Sequence, residues 1–352
     1  MSLQNGLAAL HLEMTDHVPR TEYSASAHWP LVSRVTGITV DEHSAPELQS
    51  KASAAFMKAW DYAFNWNVKL HSTIFGTYRA SMGHASYAAG GVDFDKSTYC
   101  AFEDENDVLA FDPEAAFGKV DIAEWTALFE ADYRAKTVEC PDTVNMTGTY
   151  ITCVSGLIDL LGWDLLLYTA GIDPQGFGAF TNRYAAWMAP FFTALAESDV
   201  PVIMVHDDIV WSEGSFLHPD WYRTYVFPHY KHFFSPLLEA GKKILFTSDG
   251  NYTMFLDDVA RTGVHGFVLE PLTDLTYVAE KYGKTHVIVG NADTRCLLSG
   301  NKEVIYGEVK RCMDTARHCP GFIFAVGNHI PSNTPVEAAL YYDECYRKLG
   351  KR

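Results

Sequence analysis

The stretch PVIMVHDD, residues 201–208, is a short apolar run that ends in titratable side chains. Four similar runs follow it along the chain, at residues 243–246, 266–269, 286–289 and 321–326, and polar residues follow each of them. Near-continuous apolar runs of this length are typical of strands that are buried on both faces of a parallel sheet. The stretch therefore predicts a buried parallel strand, and the four later runs predict its neighbours.

Helical patterns separate these runs. They cover residues 220–240, with a break near Pro228, then 254–261, 274–283 and 302–317, and a last helix begins near Pro335. Repeated strand–helix units form either an open doubly wound sheet or a closed barrel. No strand is followed by a glycine-rich nucleotide-binding motif, which the open-sheet alternative often carries. The sequence therefore predicts an α/β fold, a (β/α)8 TIM barrel.

The first half of the chain has a weaker pattern. Residues 47–64, 122–137 and 180–197 are predicted to be helical, residues 72–78 and 144–151 to be strands, and residues 83–91 to be a loop. We expect residues 1–70 to form an N-terminal helical extension that packs on a barrel formed by residues 71–352.

Composition excludes several classes of partner. The chain has 352 residues and a net charge of −17, which repels nucleic acid and anionic lipid surfaces. No run of roughly 18 apolar residues is evident, and the N-terminus shows no secretion signal.

The seven cysteines form no CxxC pair, as expected of reduced thiols in a cytoplasmic protein. We expect a small-molecule substrate, and a homodimer is one of the oligomeric states left open.

Polar residues at the ends of the predicted strands mark the candidate site, because catalytic groups of parallel barrels come from the carboxyl ends of several strands. Each such residue has a structural alternative, since Asp and Asn also cap helices. The candidate catalytic residues are Asp208, Asp249, Glu270 and His329. The candidate substrate-binding residues are His206, Asp207, Ser248, Asn251, Asn291, Asp293, Asn328 and Tyr150.

Strand alternation separates Asp207 from Asp208, because neighbouring side chains point to opposite faces. Only one of them can face the mouth of the barrel, and Asp208 is the predicted one. His206 has three interpretations: a hydrogen-bonded structural residue, which is the favoured one, a general acid or a metal ligand. Asp249, His329 and His206 are the candidates for holding a divalent metal, if one is bound.

The set of motifs resembles the uroporphyrinogen decarboxylase superfamily. The similarity extends over residues 201–348 and rests on VHDD at 205–208, DGN at 249–251, LEP at 269–271, GNAD at 290–293 and GNHIP at 327–331. The segment TPVEA at 334–338 adds to it. This resemblance implies a (β/α)8 barrel. It also implies one of two chemistries: decarboxylation of uroporphyrinogen without a cofactor, or methyl transfer that involves corrinoid proteins or thiols, often with zinc.

The chain departs from both patterns of that superfamily. The arginine-rich N-terminal loop of the decarboxylases is missing, since only Val18-Pro19-Arg20 is found, and GTYR at 76–79 contains no catalytic aspartate. The zinc ligands of the thiol methyltransferases, a histidine and two cysteines, correspond to Thr247, Asp249 and Asn328. A thiol-activating zinc needs soft thiolate or imidazole ligands, so this zinc site is not expected.

The resemblance and its departures favour a methyltransferase. It would move a methyl group between a methylated or methoxylated small molecule and a corrinoid protein, with Asp249 as first choice and Glu270 as second choice for the general acid. The chain contains no Asp-x-His-x-x-Gly segment, so the corrinoid would be supplied by a partner protein, and we expect no tightly bound cofactor. The alternatives are a cofactor-free decarboxylase of a small or tetrapyrrole acid, and a binding protein without activity.

Overall fold

The computed structural model describes residues 2–82, 85–88, 91–94 and 98–352. Its largest sheet has six parallel strands whose spatial order follows the chain. These strands are Thr147–Thr149, Val202–His206, Lys243–Ser248, Gly266–Leu269, Val287–Ala292 and Phe322–Val326. The fold is mixed α/β, and the five strands predicted in the second half are confirmed. Because the strands are parallel, their carboxyl ends meet at one edge.

The two faces of this sheet bury different sets of residues. Val202, Met204, Leu245, Val268 and Ile323 belong to one apolar cluster, which the helix Ser2–Leu10 covers with Ala9 and Leu10. The residues between them in sequence, such as Ile203 and Val205, belong to a second and larger cluster that includes the surrounding helices. This alternation decides which strand-end side chains can reach a common site.

The helices of the second half match the sequence pattern, except for the short helix Thr294–Leu298, which the pattern does not predict. They are Pro219–Tyr225, Phe227–Glu239, Leu256–Ala260, Leu275–Tyr282, Thr294–Leu298, Lys302–Ala316 and Val336–Leu349. The predicted break near Pro228 separates the first two, with Val226 between them. A proline is tolerated in the first turn of a helix, where the backbone N–H that it lacks would have no partner within the helix. It also disfavours the helical conformation of the residue before it, which favours a break at this point. Asp274 accepts hydrogen bonds from the backbone N–H groups of Thr276 and Tyr277, which starts the helix Leu275–Tyr282.

The first half contributes further helices and several short strands. The α-helices are Ser2–Leu10, Trp29–Thr36, Pro46–Ala59, Glu105–Ala110, Pro113–Phe117, Ile122–Glu139, Val154–Ile172 and Pro174–Glu197. Among the described residues, the 3-10 helices are Ala25–Ala27, Ser72–Tyr78 and Thr253–Phe255. Phe64–Asn65 pairs in parallel with Val144–Asn145, Ser81–Met82 pairs antiparallel with Thr98–Tyr99, and Ala85–Ala88 pairs antiparallel with Gly91–Phe94.

Residues on both sides of the predicted boundary at residue 70 take part in strand pairing. Arg20 makes parallel bridges to Phe324 and to Tyr62, and Leu70 makes one to Thr149. Residues 1–70 therefore supply paired backbone as well as three α-helices, and the division into an extension and a barrel stays a prediction.

Three predictions for the first half need correction. Residues 72–78 form a 3-10 helix rather than a strand, with Gly76 at a φ of 55°. Their content of Thr, Ile, Phe and Tyr favours a strand, but Phe75 and Tyr78 pack in an aromatic cluster with Phe117 instead. The helix predicted for residues 47–64 ends at Ala59. The loop predicted for residues 83–91 contains the strand Ala85–Ala88, while residues 83, 84, 89 and 90 lie outside the described residues.

One helix, Val154–Ile172, is long and apolar enough to cross a membrane by length and composition alone. Half of it is buried inside the protein, and it packs against the helix Pro174–Glu197. A buried core helix has the same composition, and the packing favours that interpretation for this one.

Candidate active site

The carboxyl ends of the sheet strands surround a cavity of about 320 Å³. Residues two or four positions apart along a strand point to the same face of the sheet. Met204, Leu245 and Val268 lie on one face, and the residues that share this face further along the chain are His206, Asp208, Asp249 and Glu270. All four therefore point toward the cavity. The complete lining is Tyr23, Met82, Tyr150, Ser155, Ile158, Asp159, Trp163, Met204, His206, Asp208, Thr247, Ser248, Asp249, Val268, Glu270, Gly327, Asn328 and His329. All four predicted catalytic residues therefore border one cavity.

Three titratable side chains meet at one side of this cavity. His206 Nε2 lies 3.2 Å from Asp208 Oδ1, and the backbone N–H of Asp249 donates to the same oxygen at 2.9 Å. One ligand atom from each of His206, Asp208 and Asp249 lies within 4.8 Å of the others. This spacing brings two carboxylates close enough to repel each other and to attract a cation.

Burial and mutual repulsion shift the pKa values of these groups. Burial, with the charges of Asp208 and Glu270 adding to it, raises the pKa of Asp249 to about 7. Burial raises the pKa of Asp208 to about 6, and the charge of Glu270 contributes. Burial lowers the pKa of His206, which favours the neutral imidazole. Near neutral pH, the carboxyl group of Asp249 is therefore able both to give and to accept a proton.

The loop after the strand Lys243–Ser248 is held by Glu270. The backbone N–H of Gly250 donates to a Glu270 carboxylate oxygen at 2.6 Å, and the Asn328 amide donates to the other oxygen. The same amide lies 3.4 Å from Asp249 Oδ2. Gly250 has a φ of 81°, and a Cβ there would lie 2.5 Å from the carbonyl oxygen of Trp211. Glycine is therefore required for the turn that presents Asp249.

Aromatic side chains line the cavity beside these carboxylates. The ring of Tyr150 lies 4.2 Å from the ring of His206, and burial raises the pKa of Tyr150 to about 12. Trp163 packs against Phe216 at a ring distance of 5.0 Å. The hydroxyl group of Tyr23 is buried and has no hydrogen-bond partner among the residues that the structure describes. The cavity thus combines an acidic side with an aromatic side.

Sequence reasoning missed several of the lining residues. Asp159 and Ser155 lie on the helix Val154–Ile172, and Tyr23 lies far from them in the chain. Burial raises the pKa of Asp159, while a hydrogen bond with Ser72 opposes the shift. The hydroxyl oxygen of Ser155 accepts the backbone N–H of Asp208 at 2.7 Å. The signal for Asp159 is an isolated carboxylate in an apolar run, which is too common to identify a site.

Of the predicted substrate-binding residues, Ser248, Asn328, His206 and Tyr150 line the cavity. Asp207 does not, and its assignment is corrected. It is fully buried on the opposite face of its strand and accepts the backbone N–H groups of Cys153 and Ser155, at 3.1 and 2.6 Å, together with the Tyr230 hydroxyl. It thereby fixes the start of the helix that carries Asp159.

Three further predictions are corrected for similar reasons. Asn291 is fully buried and donates to the backbone carbonyls of Glu270 and Thr273. Asn251 accepts the backbone N–H of Thr253, and Asp293 caps the helix Thr294–Leu298. These side chains stabilise the loops behind the cavity and do not line it.

The cavity has a strongly acidic lining. Four carboxylates border it, those of Asp159, Asp208, Asp249 and Glu270, and no Lys or Arg does so among the described residues. Burial also lowers the pKa values of His206 and His329, which favours their neutral forms. The arrangement is suited to a cationic ligand or to proton transfer, and it opposes a polycarboxylate.

Comparisons with known proteins agree with one family. The family model described as uroporphyrinogen decarboxylase matches residues 137–349, more than half of the chain. Curated relatives named uroporphyrinogen decarboxylase include one from Pelobacter propionicus, 26% identical over 202 residues, and one from Syntrophotalea carbinolica, 28% identical over 200 residues. The matched segments cover 57% of this chain in both cases, and 57% and 56% of the relatives, so the chain spans little more than half the length of these relatives.

A solved structure extends the similarity to the whole fold. The methyltransferase from Methanosarcina mazei matches with a TM-score of 0.65, covering 99% of this chain and 98% of that protein. The sequence identity is 19%, so this likeness concerns the fold alone.

Proposed function

The chain belongs to the uroporphyrinogen decarboxylase family, and we propose that it is an enzyme that transfers a methyl group from a small methylated molecule to a corrinoid carried by a separate protein. The observation that carries this proposal is the acidic cavity in which Asp249, with a pKa of about 7, faces the space for a ligand. A group of that pKa is suited to general acid catalysis near neutral pH.

The reaction needs help at the leaving atom of the methyl donor. The bond between the methyl carbon and the donor oxygen or nitrogen breaks, and its electron pair stays on that heteroatom. A poor leaving group of this kind departs when it carries a proton, and Asp249 is placed to supply or hold that proton. The cobalt of the corrinoid supplies the electron pair for the new bond to the methyl group.

Neighbouring groups adjust Asp249 for this role. Asp208 and Glu270 repel its negative charge and so keep its proton available near neutral pH. Asn328 lies within 3.4 Å of Asp249 and holds Glu270, which in turn holds Gly250. We assign to His329, whose pKa burial lowers, a secondary role in binding the donor from the last strand.

A thiol-type zinc does not fit this cavity. Thr247, Asp249 and Asn328 offer a hydroxyl, a carboxylate and an amide, and none of the seven cysteines borders the cavity. Thiolate and imidazole are the ligands that such a zinc requires. The proposed reaction therefore uses protonation by this chain's own carboxyl groups rather than a zinc of that type.

We also infer that the parallel sheet closes into an eight-stranded barrel. The parallel bridges from Arg20 to Phe324 and to Tyr62 support this, because they connect the last strand of the sheet to the region of Phe64–Asn65. That short strand pairs with Val144–Asn145, which directly precedes the first strand of the sheet. Closure would place the cavity at the mouth of the barrel, where such folds carry their sites.

Decarboxylation of a small acid is the second candidate, since the curated relatives carry the name of a decarboxylase. Uroporphyrinogen itself is a poor fit. Arg20, the only arginine near the position of the expected arginine-rich loop, is fully buried in ion pairs with Glu22 and Asp343. Release of CO2 from a carboxylic acid, without any change in added cobalamin, would favour this candidate, and turnover of uroporphyrinogen to coproporphyrinogen would overturn the argument from Arg20.

The experiment that tests the proposal is a methyl-transfer assay with cob(I)alamin. Methoxylated aromatics and methylated amines are supplied as donors, and formation of methylcobalamin is followed by its absorbance. We expect transfer with the wild-type protein and its near-complete loss in Asp249→Asn. Absence of transfer with every donor, tested with free cobalamin and with corrinoid proteins from the same source, would reject methyl transfer.

A further inference from the structure

We propose that the ligand of this cavity is a small N-methylated ammonium ion that carries one N–H group. The identity of this ion as the methyl donor rests on the proposed function, whereas its binding to the cavity does not depend on that function. The inference selects one class of donor, protonated methylamines, from the methoxylated and methylated compounds that the proposed function includes.

Uncompensated negative charge in the cavity favours a cationic ligand. Asp159, Asp208, Asp249 and Glu270 all border the same cavity of about 320 Å³, and no Lys or Arg among the described residues borders it with them. Arg79 interacts electrostatically with Asp159 but is not part of the lining. Because the carboxylates are partly removed from water, each ionised one raises the cost of ionising the next. A bound cation would offset the free-energy cost of ionising these carboxylates together, whereas a neutral ether would not.

The aromatic side of the cavity favours a methylated cation over a metal ion. Tyr23, Tyr150 and Trp163 line it together with the carboxylates. Methylated ammonium ions bind well where carboxylates and aromatic rings occur together, because the rings attract the diffuse positive charge and also accept the methyl groups. A divalent metal ion gains little from such rings and prefers oxygen or imidazole ligands alone.

The hydroxyl group of Tyr23 favours a ligand with a polar substituent. This hydroxyl is buried against the cavity and has no hydrogen-bond partner among the described residues. A buried polar group without a partner is costly, so it is commonly satisfied by a bound ligand or water. A ligand with an additional polar substituent, such as an amino alcohol, would supply that partner.

The size of the cavity limits the ligand. A volume of about 320 Å³ lies at the small end of the range for ligand pockets, roughly 300–1,000 Å³. A methylated amine with a short polar chain fits this volume. The acidic lining and the small volume together oppose a tetrapyrrole that carries several carboxylates.

The protonation state of such a donor agrees with the role proposed for Asp249. A neutral amine beside protonated Asp249 and an ammonium ion beside ionised Asp249 contain the same single proton. In the reaction, the C–N bond breaks, its electron pair remains on nitrogen, and nitrogen keeps the proton. The corrinoid cobalt supplies the two electrons of the new bond to the methyl group, so no further oxidant or reductant is required.

Direct binding to two molecules of the same shape tests the inference. In 2-(dimethylamino)ethanol the nitrogen is protonated near neutral pH, and 3-methylbutan-1-ol has an uncharged carbon in its place. Calorimetric titration of the full chain at about pH 8, after treatment with a chelator, should show that the amine binds at least roughly tenfold more tightly than the alcohol. Equal or tighter binding of the alcohol, or no binding of either, would overturn the inference.

Variants identify the site of binding. Asp159→Asn and Tyr150→Leu should each weaken binding of the amine by roughly tenfold, with little effect on the alcohol for Asp159→Asn. Glu280→Gln, an exposed position on the helix Leu275–Tyr282, is the control and should leave binding unchanged. If Asp159→Asn does not fold, Tyr150→Leu alone decides the outcome. Unchanged amine binding in a folded variant of either kind would contradict the inference.

A final arm separates the organic cation from a metal ion. The titration is repeated with added Zn²⁺ or Mg²⁺, and the inference predicts that the amine binds without them. Binding of the amine only after metal is added would overturn the inference. A cavity that already holds a divalent cation would repel an ammonium ion, so the bound amine would then be the uncharged form. Binding of the amine without formation of methylcobalamin would reject the proposed function and leave the ligand class intact.

Discussion

The backbone N–H of Asp249 donates a hydrogen bond of 2.9 Å to the side chain of Asp208, so carboxyl groups from two neighbouring strands share one side of the cavity. Burial raises the pKa of Asp208 to about 6 and that of Asp249 to about 7, with the charge of Glu270 contributing to both. The other titratable groups that border the cavity are Tyr23, Tyr150, Asp159, His206 and His329. The ionisation of Asp208 and Asp249 should therefore affect the binding of a charged ligand, the reaction rate and the stability of the protein.

The first prediction concerns pH. For a methylammonium donor, kcat/KM should rise as the pH increases from about 5.5 to 8, because Asp208 and Asp249 must ionise to attract the cation. Below that range both the amine and Asp249 carry a proton, so the uncharged carboxyl group no longer attracts the ammonium ion. Initial rates at saturating corrinoid measure this profile. A kcat/KM that instead falls through pH 7 would indicate an uncharged donor that needs protonated Asp249.

The second prediction is that Asp249→Asn makes the protein more stable and less active. The folded pKa of about 7 lies above the ordinary value of 3.8, so stability is lost as the pH rises between these values. The amide is not ionised, and the variant should therefore have a higher Tm than the wild type at pH 8 and a similar Tm near pH 4. Its kcat should fall by about 10² to 10⁴-fold. A lower Tm at pH 8 with the same loss of rate would indicate structural damage instead.

The third prediction distinguishes Asp207 from its neighbour. Asp207 accepts two backbone N–H groups and the Tyr230 hydroxyl in the core, so Asp207→Ala leaves buried donors unpaired. Each such donor costs about 1–3 kcal/mol, and the free energy of unfolding should drop by several kcal/mol. Asp207→Asn retains one acceptor oxygen and should lose less. Denaturant unfolding measures both; a stable Asp207→Ala protein would contradict the structural role.

The fourth prediction concerns metal content. Because Thr247, Asp249 and Asn328 provide no thiolate or imidazole, the purified protein should lack stoichiometric zinc at these positions. Elemental analysis and the structure of the zinc-soaked protein measure this. Zinc found in a one-to-one ratio and bound by these three side chains would contradict the prediction.

Much of the sheet could be predicted from the sequence, because local patterns carry the information. The apolar runs predicted the five later strands, and alternation predicted that only one of Asp207 and Asp208 faces the cavity, which is Asp208 in the structure. The same reasoning could not separate Asn291 and Asp293 from true lining residues. Polar residues at strand ends also stabilise turns and cap helices, so their position alone does not identify a ligand site.

Other parts of the site depend on contacts between distant segments. Tyr23 reaches the cavity from near the N-terminus, and Asp159 reaches it from a helix whose start is fixed by Asp207. No local pattern encodes these arrangements. Residues 72–78 have strand-like composition yet form a 3-10 helix, because packing with other aromatic side chains outweighs local preference.

Methyl transfer by this protein is measured as the absorbance change of cob(I)alamin in the presence of 2-(dimethylamino)ethanol. We expect methylcobalamin to form in proportion to the demethylated amine, and the rate to fall at least about 10²-fold in Asp249→Asn. Glu280→Gln should react like the wild type. Equal rates for the wild type and Asp249→Asn, or no methylcobalamin with any methylated amine or methoxylated compound and any corrinoid protein of the same source, would contradict it.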